Sequence, residues 1–431
     1  MALPNADERG CRVNAGNKVA YSLPTAPFQL PPELIELKNL VRDVVDRECI
    51  PLEPKYLAAE TLAGAAPPAG GGDDRVPQQG AMDANEWGRL KKLSQELGIY
   101  DIHLPEKYGG GNLGVLGRFV VEEEINRSVV TLPTVRVPGI LFGCTEDQEQ
   151  RYLLPTIQGE KVYAFAQTEP GAGSDPGNSM STRAVRQGDE WVINGSKTFI
   201  SHADKADYLL LQAVTDENLR QSGGITMFIV DTKTPGLSMS PIPMWFPGPS
   251  AQFTLHLDNV RVPHENVLGE VGGGFKLGQQ WLAIQDRLTR GSIACGILSR
   301  ALDVATEWAQ ERETFGKPLA RRQAIQWMLV DVYADLKSIR AISYECAARA
   351  DAGEDVRAYA ALSKLLGGNW GHRSIDKILQ IFGGMGESLE MPVSHWYRRL
   401  RHARIGGGTD EIQRIIIARQ LFKQGRSLWQ A

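Results

Sequence analysis

The chain has 431 residues, 42% of them hydrophobic, which is enough to bury a large core and suggests two or three domains. Its formal net charge of -4 and pI near 6.1 exclude a broad basic field, so nucleic acid is not an expected partner. No run of about 18 apolar residues is present to span a membrane, and five cysteines at wide spacing without a CxxC pair give neither a zinc clamp nor a disulfide framework.

The first thirty residues show no hydrophobic period and read as a tail; they lack the patterning of a secretory or organelle leader, so a cytoplasmic location is expected. Amphipathic helices are predicted over Leu34 to Cys49 and Trp87 to Leu97, with apolar residues at three- and four-residue steps. Between them lies an irregular insertion, about 63 to 81, rich in Gly and Pro. Further helices at Val120 to Asn126 and Glu146 to Leu154 make 31–160 a helical domain.

From 161 to 271 the pattern changes to short β-rich runs: Val162 to Phe165, Trp191 to Ile193, Tyr208 to Ala213, Ile225 to Val230 and Thr254 to Val262. Gly, Asn, Asp and Pro turn signals separate them. From 272 to 431 long helical periods return. Ile297, Ala301, Ala305 and Trp308 share one face, and Leu329, Val332 and Leu336 share another, which predicts a helical bundle. The order is helices, then β, then helices, an α+β multidomain arrangement with no βαβ alternation to build a parallel nucleotide-binding sheet.

The seven histidines include no pair at helical ligand spacing, so no metal site is expected. No GxSxG elbow or Walker loop occurs, and the glycines at 272–274 read as a turn. The informative stretch is Ala164 to Asp175 (AFAQTEPGAGSD). It follows a β run, and its small residues let backbone amides approach a ligand closely. On that ground alone a ligand loop and an ordinary loop both stay open.

As a string, however, this stretch resembles the first signature of the acyl-CoA dehydrogenase family. Four further segments match the same family in order: Asn194 to Ser201 (NGSKTFIS), Arg312 to Leu319 (RETFGKPL) with Gln323, Gln380 to Gly386 (QIFGGMG), and Gly408 to Arg414 (GTDEIQR). The resemblance runs from about Leu34 to Phe422. It implies an N-terminal helical domain, a middle β-barrel-like domain and a C-terminal four-helix bundle, with FAD as cofactor and an acyl-CoA as substrate. It also implies an electron-transferring flavoprotein as oxidant. Phe165, Gln167, Thr168, Gly173 and Ser174 then bind the cofactor, Phe199 lies against the flavin ring and Ser201 meets the N5 region. Arg312, Thr314, Phe315, Gln323, Gln380, Gly383 and Gly384 reach the FAD of a neighbouring subunit, which implies a homo-oligomer, dimer or tetramer. Thr409 and Glu411 fall near the cofactor.

The family chemistry removes the α-proton of an acyl-CoA with a carboxylate while the β-hydride passes to FAD N5. Most members carry that base as a glutamate just before the C-terminal Gly-Thr; here Gly407 stands in its place. One branch holds the base on a bundle helix, before an arginine and twenty-six residues upstream of the arginine that opens the RxTFG-type motif. Asp286, followed by Arg287, occupies that position. Asp286 is therefore the candidate base, and the alternative is an ion-pair partner of Arg287 or Arg290. The Gly407 N–H is the candidate donor to the thioester oxygen. Two rival readings follow from Gly407: a family member with changed chemistry (desulfination, nitroalkane or oxygen-dependent oxidation), or a catalytically silent acyl-CoA-binding subunit.

Overall fold

A computed structural model describes residues 30–63, 83–245 and 252–428. The expected tail and the 63–81 insertion fall almost wholly outside them. The first helix opens at Pro32, tolerated there because an N–H at that position would have no intrahelical partner. It buries Leu34, Val41 and Val44, widens into a π-turn over Val45–Cys49 and passes through a 3-10 turn into a second helix, Glu53–Ala63. Pro51, which cannot donate to the helical ladder, accounts for the break. Helices Ala84–Glu96 and Gly114–Ile125 follow. The helix expected over 146–154 forms, with a π-turn at Glu149–Leu153 inside it.

The first 160 residues are less helical than their periodicity predicts, because 126–138 runs without regular structure. That segment still buries Val129, Val130, Leu132, Val135 and Val137. The 114–125 helix is fixed by its buried Glu123, which accepts from Lys38 Nζ at 2.8 Å, Arg340 Nη2 at 2.7 Å and the Tyr344 hydroxyl at 2.9 Å. The N-terminal helices are thereby tied to the C-terminal bundle.

The middle section is a seven-stranded sheet, curled into an open barrel: β1 Tyr163–Ala166, β2 Arg183–Gln187, β3 Glu190–Ser201, β4 Tyr208–Val214, β5 Ile225–Asp231, β6 Leu237–Ile242 and β7 Gln252–Pro263. Strand β4 is buried along its whole length because both of its faces are covered. Leu209 and Leu211 point into the sheet's own core with Phe228 and Val230, whereas Tyr208 and Leu210 pack on Leu104, Val135 and Tyr152 of the N-terminal region. Strands β2 and β6 have no counterpart among the predicted runs. β2 is exposed at most of its positions and no position of β6 is buried, and their polar residues hide the alternation.

Strand β3 pairs with β7 across two register shifts, one between Ile193 and Gly195 and one between Lys197 and Ile200. The second bulge puts Phe199 at φ +55 and turns its ring out of the sheet, leaving it 54% exposed. The bundle is built from Leu288–Glu311, Gln323–Asp351 and Arg357–Phe382, with the shorter helices Pro392–Ala403 and Asp410–Gln424 both against 357–382.

Candidate active site

The helical N-terminal region, the sheet and the bundle enclose a cleft of about 720 Å³. One wall is the middle section: Phe165, Gln167, Thr168, Gly173 and Ser174 after β1, and Phe199 and Ser201 on β3. The opposite wall is the bundle, with Asp286, Arg287 and Arg290 on one segment and Gly407 and Gly408 on the loop before the last helix.

The sheet-side wall is held from beneath. Lys197 reaches back under the loop to donate to Glu169 Oε1 at 2.8 Å and to the Gln167 carbonyl at 3.2 Å, both charges being buried. Burial alone would push the Glu169 carboxyl up; the Lys197 ammonium and hydrogen bonds from Lys197, Ser181 and Thr182 hold it down at about 2. Burial also lowers Lys197 to about 8, against the pull of Glu169. The Gln167 side chain donates to Gln212 at 2.7 Å and so serves the scaffold. Ser201 Oγ accepts from Gln252 Nε2 at 2.8 Å, leaving its O–H to donate into the cleft.

The bundle-side wall depends on two local irregularities. Residues Leu282–Arg287 form a π-helical turn ahead of the 288–311 helix, and this carries Asp286 toward the loop at 407. Asp286 Oδ1 accepts from Arg290 Nη2 at 2.8 Å; Oδ2 is buried without a hydrogen-bond partner. Arg287 is instead buried beside Gln279, 3.3 Å from its Oε1. The 404–409 loop is pinned by Asp410, which accepts from Arg404 Nε at 2.8 Å and lies 3.5 Å from the buried Lys364 ammonium. Gln413 Nε2 donates to the carbonyls of Gly407 and Gly408 at 3.3 and 2.9 Å. Gly407 itself sits at φ +71, and its N–H has no acceptor among the described residues. A Cβ built on it would overlap Asp286 Oδ2.

The structure thus brings together ten of the sequence-predicted residues and leaves the others elsewhere. Arg312, Thr314 and Phe315 lie on a short hairpin, with Phe315 96% exposed, and Gln323 opens the following helix at the surface. Gln380, Gly383 and Gly384 close the 357–382 helix, and a Cβ on either glycine would meet nothing within 4 Å. Thr409 caps the last helix, accepting from the Ile412 N–H at 3.4 Å, and Glu411 is exposed. Sequence reasoning missed the lining residues Arg118, Arg136, Trp281, Arg399 and His402. None stands in a recognisable string, and the fold draws them together from four segments.

Models of the acyl-CoA dehydrogenase N-terminal, middle and C-terminal domains match residues 73–160, 164–260 and 272–422. The chain belongs to the acyl-CoA dehydrogenase family. It is similar to the short-chain specific acyl-CoA dehydrogenase of Rattus norvegicus mitochondria, 36% identical over 349 residues, covering 79% of this chain and 83% of that protein. It is 34% identical over 413 residues to the (R)-benzylsuccinyl-CoA dehydrogenase of Thauera aromatica, covering 93% and 98%. Its fold matches butyryl-CoA dehydrogenase from Megasphaera elsdenii with a TM-score of 0.77 at 28% identity, over 92% of this chain and 99% of that one. The expected α+β architecture is therefore correct, and the enzyme is an oxidoreductase.

FAD is the family's cofactor, and the cleft fits it. The uncovered Phe199 ring offers a flat apolar face, the Ser201 hydroxyl points a donor into the same space, and before the 171–174 loop a Cβ on Gly171 or Gly173 would meet nothing within 4 Å. A planar ring and a phosphate group have room against those elements. Among the described residues, no helix is long and apolar enough to cross a membrane.

Proposed function

We propose that this dehydrogenase introduces an α,β double bond into an acyl-CoA thioester, with Asp286 as the base. The reading rests on the free carboxylate oxygen Asp286 Oδ2, held beside Gly407 in the same cleft as Phe199 and Ser201. The ion pair expected as the alternative exists, but it engages only Oδ1, so Arg290 orients the carboxylate and Oδ2 stays available to take the α-proton. The N–H of Gly407 hydrogen-bonds the thioester oxygen and stabilises charge that develops there as the proton leaves. FAD held against Phe199 and Ser201 would supply the hydride acceptor, so that the acyl chain would lose one proton and one hydride and become the 2-enoyl thioester. Asp286 on the bundle wall and Phe199 with Ser201 on the sheet wall leave room for the acyl chain between them.

Asp286→Asn tests this. The variant keeps FAD but no longer bleaches it when mixed anaerobically with an acyl-CoA that bleaches the wild type. Unchanged bleaching removes Asp286 from the mechanism.

The residues outside the cleft support a homo-oligomer in which Arg312, Thr314, Phe315, Gln323 and the 380–384 turn serve a neighbouring subunit's FAD. Phe315 is joined at the surface by Trp327, Val330 and Tyr333, 62%, 62% and 54% exposed, at three-residue steps on the 323–351 helix. Arg312→Ala then lowers FAD occupancy of the assembled protein. An electron-transferring flavoprotein is the proposed acceptor, and reduction of that protein by enzyme and substrate tests it.

A further inference from the structure

The cleft wall carries eight lysine and arginine side chains against two carboxylates, Glu122 and Asp286. Both carboxylates are already engaged, Asp286 by Arg290 at 2.8 Å and Glu122 by Arg118 at 4.0 Å. Arg136, on the irregular 126–138 segment, makes no hydrogen bond or ion pair among the described residues. Arg399, on the 392–403 helix, donates to the neutral Asn126 Oδ1 at 2.6 Å, and the buried Nε of Arg118 makes no hydrogen bond, the Glu122 carboxylate lying 4.0 Å away. Guanidinium groups enclosed without anions are costly, and a negative group arriving with the substrate would offset that cost.

Arg399 bonds Asn126, the residue that ends the helix carrying Arg118, so both cations belong to one wall of the cleft that Arg136 also lines. Burial, then Arg118, lowers Arg136, opposed by Glu122 and Tyr163; burial, then Arg290 and Arg136, lowers Arg399 to about 10, opposed by Tyr56 and Glu122. Burial raises the Tyr163 hydroxyl, opposed by Arg136 and Arg118 and reinforced by Asp286, and all four residues line the same cleft. With the α-carbon at Asp286, the pantetheine arm would carry the coenzyme A phosphates away from the base. What reaches beyond the α-carbon is the acyl tail.

From this geometry we infer that the acyl group oxidised by this enzyme carries a second carboxylate, bound by Arg136 with Arg118 and Arg399 beside it. A guanidinium fork matches a carboxylate with two parallel hydrogen bonds, which a methyl-ended chain cannot accept. The inference rests on the reading that Asp286 removes the α-proton, since that reading fixes which end of the substrate faces the arginines.

The test compares length-matched thioesters, glutaryl-CoA with pentanoyl-CoA and adipyl-CoA with hexanoyl-CoA, following anaerobic flavin bleaching. The carboxylated member of at least one pair has a kcat/KM higher by about 100-fold, the scale of a desolvated charge pair. Arg136→Gln collapses that ratio by a similar factor, and Arg136→Lys restores part of it. Equal or better turnover of the methyl-ended members overturns the inference while leaving the dehydrogenase reading intact; absence of bleaching by any member sinks both. Should Arg136→Gln lower both members of a pair equally, or lose FAD, the arginine serves a coenzyme phosphate and the inference falls. Arg118→Gln, which spares the extended segment, gives the same ratio test if Arg136→Gln fails to fold.

Discussion

The Asp286 carboxylate fills the volume into which a side chain at position 407 would project: a Cβ there would overlap Oδ2 and lie 3.1 Å from Cγ. A carboxylate on the bundle helix and a glycine on the loop are therefore one arrangement, and neither residue changes alone without cost. At φ +71 any L-residue at 407 also adds backbone strain of about 1 kcal/mol. Gly407→Ala should push Oδ2 aside and lower kcat at least about tenfold, since small displacements of a reacting group cost that much or more. Gly407→Glu should be as poor, because two carboxylates then compete for one place. In the double variant Asp286→Ala/Gly407→Glu the clash is gone, and flavin bleaching should exceed that of Asp286→Ala. Equal rates in the double and single variants would show that position 407 cannot deliver a carboxylate to the substrate.

Arg290 holds Asp286 Oδ1 at 2.8 Å from one helical turn away, with both side chains about one-fifth exposed. With Asp286 proposed as the base, Arg290 is its proposed positioning residue. Arg290→Gln should lower kcat about tenfold while KM changes little, and Arg290→Lys should recover part of the loss. A change confined to KM would instead place Arg290 on the substrate.

Much of this site was legible in the sequence because the family strings carry both type and spacing. Phe199 falls in the NGSKTFIS string, and Asp286 lies twenty-six residues before Arg312. The physical causes were not visible. The bulge that exposes Phe199 and the π-turn that aims Asp286 are properties of pairing and packing, which single-sequence periodicity does not report. Strands β2 and β6 escaped because β2 is mostly exposed and no position of β6 is buried, and Pro241 within β6 reads as a strand breaker although the sheet's edge accommodates it. Arg136 escaped for another reason: it is one charge in an apolar run, and its companions Arg118, Arg290 and Arg399 meet it only once the chain has folded.

The Glu169–Lys197 pair should prove structural. Both side chains are at most 1% exposed, so removing one partner strands the other charge in the interior. Lys197→Met should cost about 3 to 5 kcal/mol in thermal or denaturant unfolding and release FAD, since the 167–174 loop loses its support. Glu169→Gln/Lys197→Met, which removes both charges, should recover a substantial part of that stability. A Lys197→Met protein as stable as the wild type would mean the pair does not hold the loop.

Stability should fall as pH drops from about 6.5 toward 5, before most carboxylates titrate. Burial, reinforced by nearby cations, lowers three histidines: His103 to about 3, beside Arg118; His202 to about 4, beside Arg136 and Lys205; and His402 to about 4, beside Arg290, Lys364 and Arg399 and partly offset by Asp286. Each folded value lies below the unfolded value of 6.5, so between those limits the unfolded chain binds more protons and acid favours unfolding. The effect is absent above pH 6.5 and complete only below the folded values. Between pH 6.5 and about 5 each histidine should contribute roughly 1.5 kcal/mol of lost stability. His202→Gln/His402→Gln should remove about two-thirds of the slope that the three create, leaving the His103 share. Chemical denaturation at several pH values across this interval measures it, and a wild-type stability flat from pH 6.5 to 5 would mean that water reaches these rings in the folded enzyme.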